Sequence, residues 1–213
     1  MTQMNFTSSK QELRAETFDI PERFKNCGFK NFNQTKENID AYNKCLEFLN
    51  TQKSLIMYGN VGSGKTHLAI AIMKNLKPIE REVKLRTDLY KGEKNIKTTK
   101  VFNVARSQFL VVDEFFRKLN DCAVNHESKQ KVIDRYLTEN DLVVLDDLGI
   151  FNWSNAKQEN LYLFINRAYL NNKRIIITTN FTPLELKKKD ERITSRLKEM
   201  GDFIEFNGKD YRK

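Results

Sequence analysis

The chain has 213 residues, 39% apolar and 31% charged, and its 37 Lys and Arg against 28 Asp and Glu leave a net charge of +9. That length buries one sizeable core, so one soluble domain is expected, and the basic balance suits either a nucleic-acid partner or a plain solvated surface. The apolar runs SLIMY, FLVV and IIITT are too short for a membrane helix of roughly 20 residues, the start MTQMNFTSSKQ lacks a secretory pattern, and Cys27, Cys45 and Cys122 fit neither a disulfide framework nor a zinc knuckle, so a cytoplasmic protein without a membrane partner is expected.

In chain order, residues 1–20 read as a tail or a short partner-binding segment, with a helix around SSKQELRAE as one alternative, and residues 21–213 as the folded domain. Ile39, Tyr42, Leu46 and Leu49 recur at helical spacing and predict a helix before the first strand. The strand SLIMY then runs into Gly59-Asn60-Val61-Gly62-Ser63-Gly64-Lys65-Thr66, followed by Ala69, Ile72, Met73 and Leu76 at helical spacing up to Pro78. Strand, glycine-rich loop and helix in that order make a phosphate loop, G-x-x-x-x-G-K-[ST]. Its glycines let backbone N–H groups turn inward onto a triphosphate. Lys65 is positioned to neutralise the outer phosphates, and the Thr66 hydroxyl to ligate Mg²⁺. ATP and Mg²⁺ are therefore the expected ligands.

Residues 81–100, REVKLRTDLYKGEKNIKTTK, carry seven basic and three acidic residues and interrupt the spacing before the strand VFNVA. They predict a hairpin or a basic loop, and Lys91, Lys94 and Lys97 are candidates for contact with DNA phosphates, weighed against a solvated loop. Phe109, Val112, Phe116 and Leu119 predict a helix after VFNVA, and Leu161, Phe164, Ile165 and Ala168 another. Trp153 reads equally as core or as binding surface. Between them DLVVLDDLG, residues 141–149, gives a buried strand ending in two carboxylates: Asp146 is the candidate Mg²⁺ ligand and Asp147 the group that orients or deprotonates an attacking water. RIIITTNFT, residues 174–182, is a further strand whose terminal Asn180 is the candidate sensor of the γ-phosphate. In DERITSRL, residues 190–197, Ile193 and Leu197, with Met200 beyond, form an apolar helix face, and Arg192 and Arg196 stand on its shoulder. These arginines either pair locally, Arg196 with Glu199 and Arg192 with Asp190 and Glu191, or reach outward for an anion.

GKTHLA, LDDLG, TTN and ERITSRL in this order, flanked by IPERFKNCGFKNF and GKDYRK, resemble the AAA+ ATPases of the DnaC/DnaI helicase-loader and IstB transposition-helper group, from about Ile20 to Lys213. The resemblance implies an α/β P-loop fold: a three-layer sandwich with a central parallel sheet of about five strands, one inserted between the phosphate-loop and acidic strands, and a helical lid reduced or absent. His67 belongs to the resemblance more as a residue packed near the loop than as a catalyst. The resemblance further implies that Arg196, or failing it Arg192, enters a neighbouring subunit's ATP site as an arginine finger, which makes the active form a homo-oligomer, and that Arg212 is a second phosphate sensor or part of a cationic tail. The implied function is ATP hydrolysis in DNA replication, with a replicative helicase and single-stranded DNA as partners. The alternatives are service to a transposase, a small phosphotransferase, and a DNA-binding module that holds ATP without turnover.

Overall fold

Alternating burial along each central strand organises the molecule. In the computed structural model, which describes residues 15–77, 79–86, 96–122, 126–149 and 153–210, Val143, Leu145, Ile175 and Ile177 point to one side of a sheet while Leu142, Val144 and Ile176 point to the other. Side chains along a strand alternate between faces, so strands with both sets apolar must be covered twice. The covering helices follow. α1 (Ile39–Phe48) and α2 (Lys65–Lys74) lie on one face; α3 (Val112–Asp121), α4 (Lys129–Glu139), α5 (Asn155–Leu170) and α7 (Glu191–Met200) build the core on the other, with the short α6 (Pro183–Lys189) contributing Leu186.

The central five strands are parallel and ordered β4 (Ile96–Val111), β5 (Leu142–Leu148), β6 (Ile175–Thr179), β2 (Ser54–Gly59), β7 (Gly201–Phe206). β6 therefore lies between the strand that feeds the glycine-rich loop and the strand that ends in the two carboxylates, as the resemblance implied. Two strands are added. β1 (Ala15–Phe18) pairs in parallel with β4 at the edge, so residues assigned by sequence to the tail, or to the end of a helix, are extended instead. β3 (Ile79–Arg86) pairs antiparallel with the first half of β4, so the described parts of the interrupting segment, 81–86 and 96–100, are paired strands. Lys91 and Lys94 lie outside the described residues, as does residues 1–14 of the expected tail.

Two helix assignments need correction. Phe109 is not on a helix: β4 runs through Val111, with Phe109 paired to Val144 and 1% exposed, and α3 begins at Val112. The run FLVV satisfies both periods over four residues, and the demand for a doubly buried strand beside β5 decides it. On α1 the buried face is Ala41, Cys45 and Phe48, while Leu46 is 37% exposed. By contrast Leu161, Phe164, Ile165 and Ala168 of α5 are all fully buried, and Phe164 meets Phe115 edge-on with centroids 5.2 Å apart. No described helix is long and apolar enough to cross a membrane, and no helix follows β7 among the described residues.

Candidate functional site

β2 ends at Gly59 and α2 begins at Lys65, so the glycine-rich loop lies at the carboxyl end of the sheet, where open α/β folds bind ligands. Gly64 caps the helix with φ of 95°, and a Cβ there would come within 2.6 Å of the Phe32 ring. Both the left-handed backbone and the close approach require glycine. Ser63 is buried and its hydroxyl donates to the Asn60 carbonyl at 2.7 Å, closing the loop on itself. Val61, at the tip, is 52% exposed.

Lys65 is only 6% exposed, and its ammonium donates to the carbonyls of Gly59 at 2.8 Å and Asn60 at 2.6 Å and to Asn180 Oδ1 at 3.0 Å. Two candidates 115 residues apart in sequence thus touch directly. Thr66, the next residue, donates its hydroxyl to Asp146 Oδ1 at 2.8 Å, and the same oxygen accepts from Thr178 at 2.6 Å. Burial pushes the Asp146 carboxyl up to about 6, against the pull of the Thr178 hydroxyl; Asp147 adds to the rise, and Thr66 and Lys65 oppose it. Asp147 has φ of 60°, at a break in register between β5 and β6, and its N–H donates to Thr178 Oγ1 at 2.9 Å. The bulge turns this second carboxylate off the strand and into a cavity of about 250 Å³, which it lines together with Gly62, Ser63, Lys65, Thr66 and Asn180.

Thr178 is a site residue that sequence reasoning passed over. One hydroxyl fixes both acids, and the only trace in the sequence is the first of two threonines that end an otherwise aliphatic strand. The outer wall was also missed. Phe24 and Cys27 line the cavity, on a segment pinned to α2 by His67, whose Nε2 lies 2.9 Å from the Gly28 carbonyl and 3.2 Å from its N–H, and by Lys74, which donates to the Cys27 carbonyl at 2.8 Å. Phe32 completes the pin with an edge-on contact to the His67 ring at 5.3 Å. His67 thus packs against this segment and also lines the cavity. Burial raises the Cys27 thiol, so it stays protonated.

The two arginines of α7 do not line this cavity. Arg192 is tied to Asp190 at 2.8 Å and to Glu159 at 2.7 Å. Arg196 is not paired with Glu199, which instead accepts from the Tyr169 hydroxyl at 2.8 Å. Its guanidinium donates to Asn166 Oδ1 at 2.7 Å, to the Tyr162 hydroxyl at 2.8 Å and to the Arg192 carbonyl at 3.3 Å. Among the described residues Arg196 thus has neutral hydrogen-bond partners alone, with the Tyr162 ring 4.8 Å away. Arg212 lies outside the described residues.

Against known families, the bacterial DnaA ATPase domain matches residues 86–204. The chromosomal replication initiator protein DnaA of Mycoplasma genitalium is 28% identical over 178 residues, covering 82% of this chain and 36% of that protein. The chain thus spans about a third of the length of such relatives. Among solved structures, the DnaC helicase loader superposes with a TM-score of 0.66 at 20% identity, covering 88% of this chain and 100% of that one. AMPPCP-bound DnaA from Aquifex aeolicus superposes with a TM-score of 0.61 at 21% identity, covering 84% and 50%. At these identities the superpositions speak for the fold.

Proposed function

The chain belongs to the family of the bacterial DnaA ATPase domain, and from that premise we propose that it is an ATP-hydrolysing AAA+ protein of DNA replication that assembles on single-stranded DNA and loads a replicative helicase. The observation that carries the chemistry is the hydrogen-bonded chain from Asn180 through Lys65 to the phosphate loop, at a cavity that Lys65, Thr66, Asp147 and Asn180 line, with the buried Asp146 and Thr178 bonded in series behind Thr66.

In this reading the loop N–H groups receive the triphosphate, and the Lys65 ammonium exchanges its carbonyl partners for phosphate oxygens. Asn180 is held beside that ammonium and orients the attacking water. Asp147 faces the cavity and accepts the water proton as the oxygen attacks the γ-phosphorus and the bond to the β-phosphate oxygen breaks. The Thr66 hydroxyl and the Asp146 carboxylate are two hard oxygen donors at hydrogen-bond distance, a donor set that suits Mg²⁺, which takes one or two protein oxygens and keeps water and phosphate for the rest. Bound there, the ion would supply charge neutralisation on the phosphate oxygens.

Arg196 is the arginine finger of this proposal, acting on the ATP of a neighbouring copy. It carries no ion pair among the described residues, whereas Arg192 already holds two. The helicase-loader role rests on the motif resemblance carried by GKTHLA, LDDLG, TTN and ERITSRL, and the shared fold is compatible with it. The test is ATP hydrolysis per subunit against protein concentration, with and without single-stranded DNA. Wild type is expected to accelerate with concentration and with DNA; Arg196→Ala is expected to stay slow at every concentration, by about 10³-fold at saturation. A wild-type rate per subunit independent of concentration would remove the shared site.

A further inference from the structure

Beyond β7 the chain turns back across the phosphate loop. Phe206 is fully buried and its carbonyl accepts the Asn60 N–H at 3.2 Å. Gly208 is buried too. Asp210 then meets Gly62: a Cβ on that glycine would lie 1.9 Å from Asp210 Oδ1 and 3.0 Å from its Cα. Gly62 also has φ of 73°, which disfavours a side chain there, and the Asp210 carboxylate lies where its Cβ would be. The Glu37 carboxyl, in the segment before α1, is held below its usual range by hydrogen bonds from the Thr35 side chain and from backbone, with a weaker pull from the Lys209 charge.

Gly62 lines the cavity and adjoins Asp210, which does not itself line it. If the loop receives phosphate as proposed above, a carboxylate is laid against its anion site. A triphosphate entering the cavity brings several negative charges up to that carboxylate. We propose that residues 207–210 form a strap whose Asp210 carboxylate opposes the phosphates of a bound nucleotide, so that nucleotide binding and docking of the strap antagonise each other.

This inference rests on the phosphate loop holding a nucleotide, as proposed above. It assigns Asp210 a part in setting nucleotide affinity and makes the strap a reporter of the nucleotide state. Coupling of this kind is reciprocal: the factor by which phosphate loosens the strap equals the factor by which the docked strap weakens phosphate binding. A like charge within a Debye length is expected to contribute about threefold to tenfold.

The experiment compares wild type with Asp210→Asn in the full chain, since the amide keeps the shape and removes the charge. Affinities for Mg·ATP, Mg·ADP and adenosine are measured at low and high salt, and hydrogen exchange is followed in the peptide spanning 203–210. Asp210→Asn is expected to bind ATP about threefold to tenfold more tightly, ADP by a smaller factor and adenosine equally, with the gain shrinking at high salt. ATP is expected to speed exchange in the strap of wild type. Equal ATP affinity in the two proteins, an equal gain for adenosine, or exchange in the strap that ATP leaves unchanged would each overturn the strap. Absence of any ATP binding by wild type would overturn the nucleotide reading itself, a result distinct from the other three.

Discussion

Replacing Asp146 by Asn probes the electrostatics of the site without altering its shape, because Asn Oδ1 can still accept from Thr66 and Thr178. In the folded chain burial carries the Asp146 carboxyl from 3.8 to about 6, so the folded state holds this proton more tightly than the unfolded one. Stability from this group is greatest below pH 3.8 and is lost as the pH rises through about 6. Above that the ionised carboxylate costs about 3 kcal/mol at most, and about half of that at pH 5. The new amide N–H loses part of the gain to incomplete hydrogen bonding. The net expectation for the nucleotide-free protein in EDTA is a stabilisation of about 2 kcal/mol at pH 7.5, or about 4–8 °C in melting temperature for a chain of this size. The assay is thermal unfolding of both proteins at pH 5 and 7.5. Mg·ATP should then raise the melting temperature of wild type far more than that of the variant. A variant no more stable than wild type at pH 7.5, or a gain that fails to shrink at pH 5, would refute the reasoning.

Asn180→Ala removes the amide beside Lys65 while leaving the loop N–H groups in place; single-turnover hydrolysis is expected to fall about 10²-fold with ATP affinity changed less than about threefold, and an unchanged rate would deny the amide its part. Phe164→Ala empties the centre of the core beneath β5 and β6, where the ring is fully buried against Phe115; denaturant titration should show a loss of about 3–5 kcal/mol, and a loss below about 1 kcal/mol would contradict the packing.

The parts legible in the sequence are those whose residues are adjacent in the chain. Gly59 through Thr66 is such a stretch, since the loop must wrap its ligand with consecutive N–H groups, and a strand before it and a helix after it are visible in the apolar pattern. Asp146 and Asp147 follow a strand for the same reason. The pairing of Asn180 with Lys65 was legible only through the likeness to sheets that insert a strand between the phosphate-loop and acidic strands.

What sequence reading did not reach depends on pairing across the sheet. The register break beside Asp147, and the Thr178 hydroxyl that braces it, come from how β5 and β6 align, and no spacing within either strand encodes that. Phe24 and Cys27 become cavity wall because His67 and Lys74, on α2, grip the segment that carries them. Phe109 was misread because four apolar residues fit either period, and only the position of β4 next to β5 makes a strand of them. Asp210 came into view through the missing side chain of Gly62.

The most direct test of the account is an equilibrium titration of wild type and Lys65→Ala with Mg·ATP. The account predicts saturable binding of one nucleotide per chain to wild type and a loss of at least about 10²-fold in the variant, since the buried ammonium faces the cavity. Equal affinity in the two proteins would contradict it.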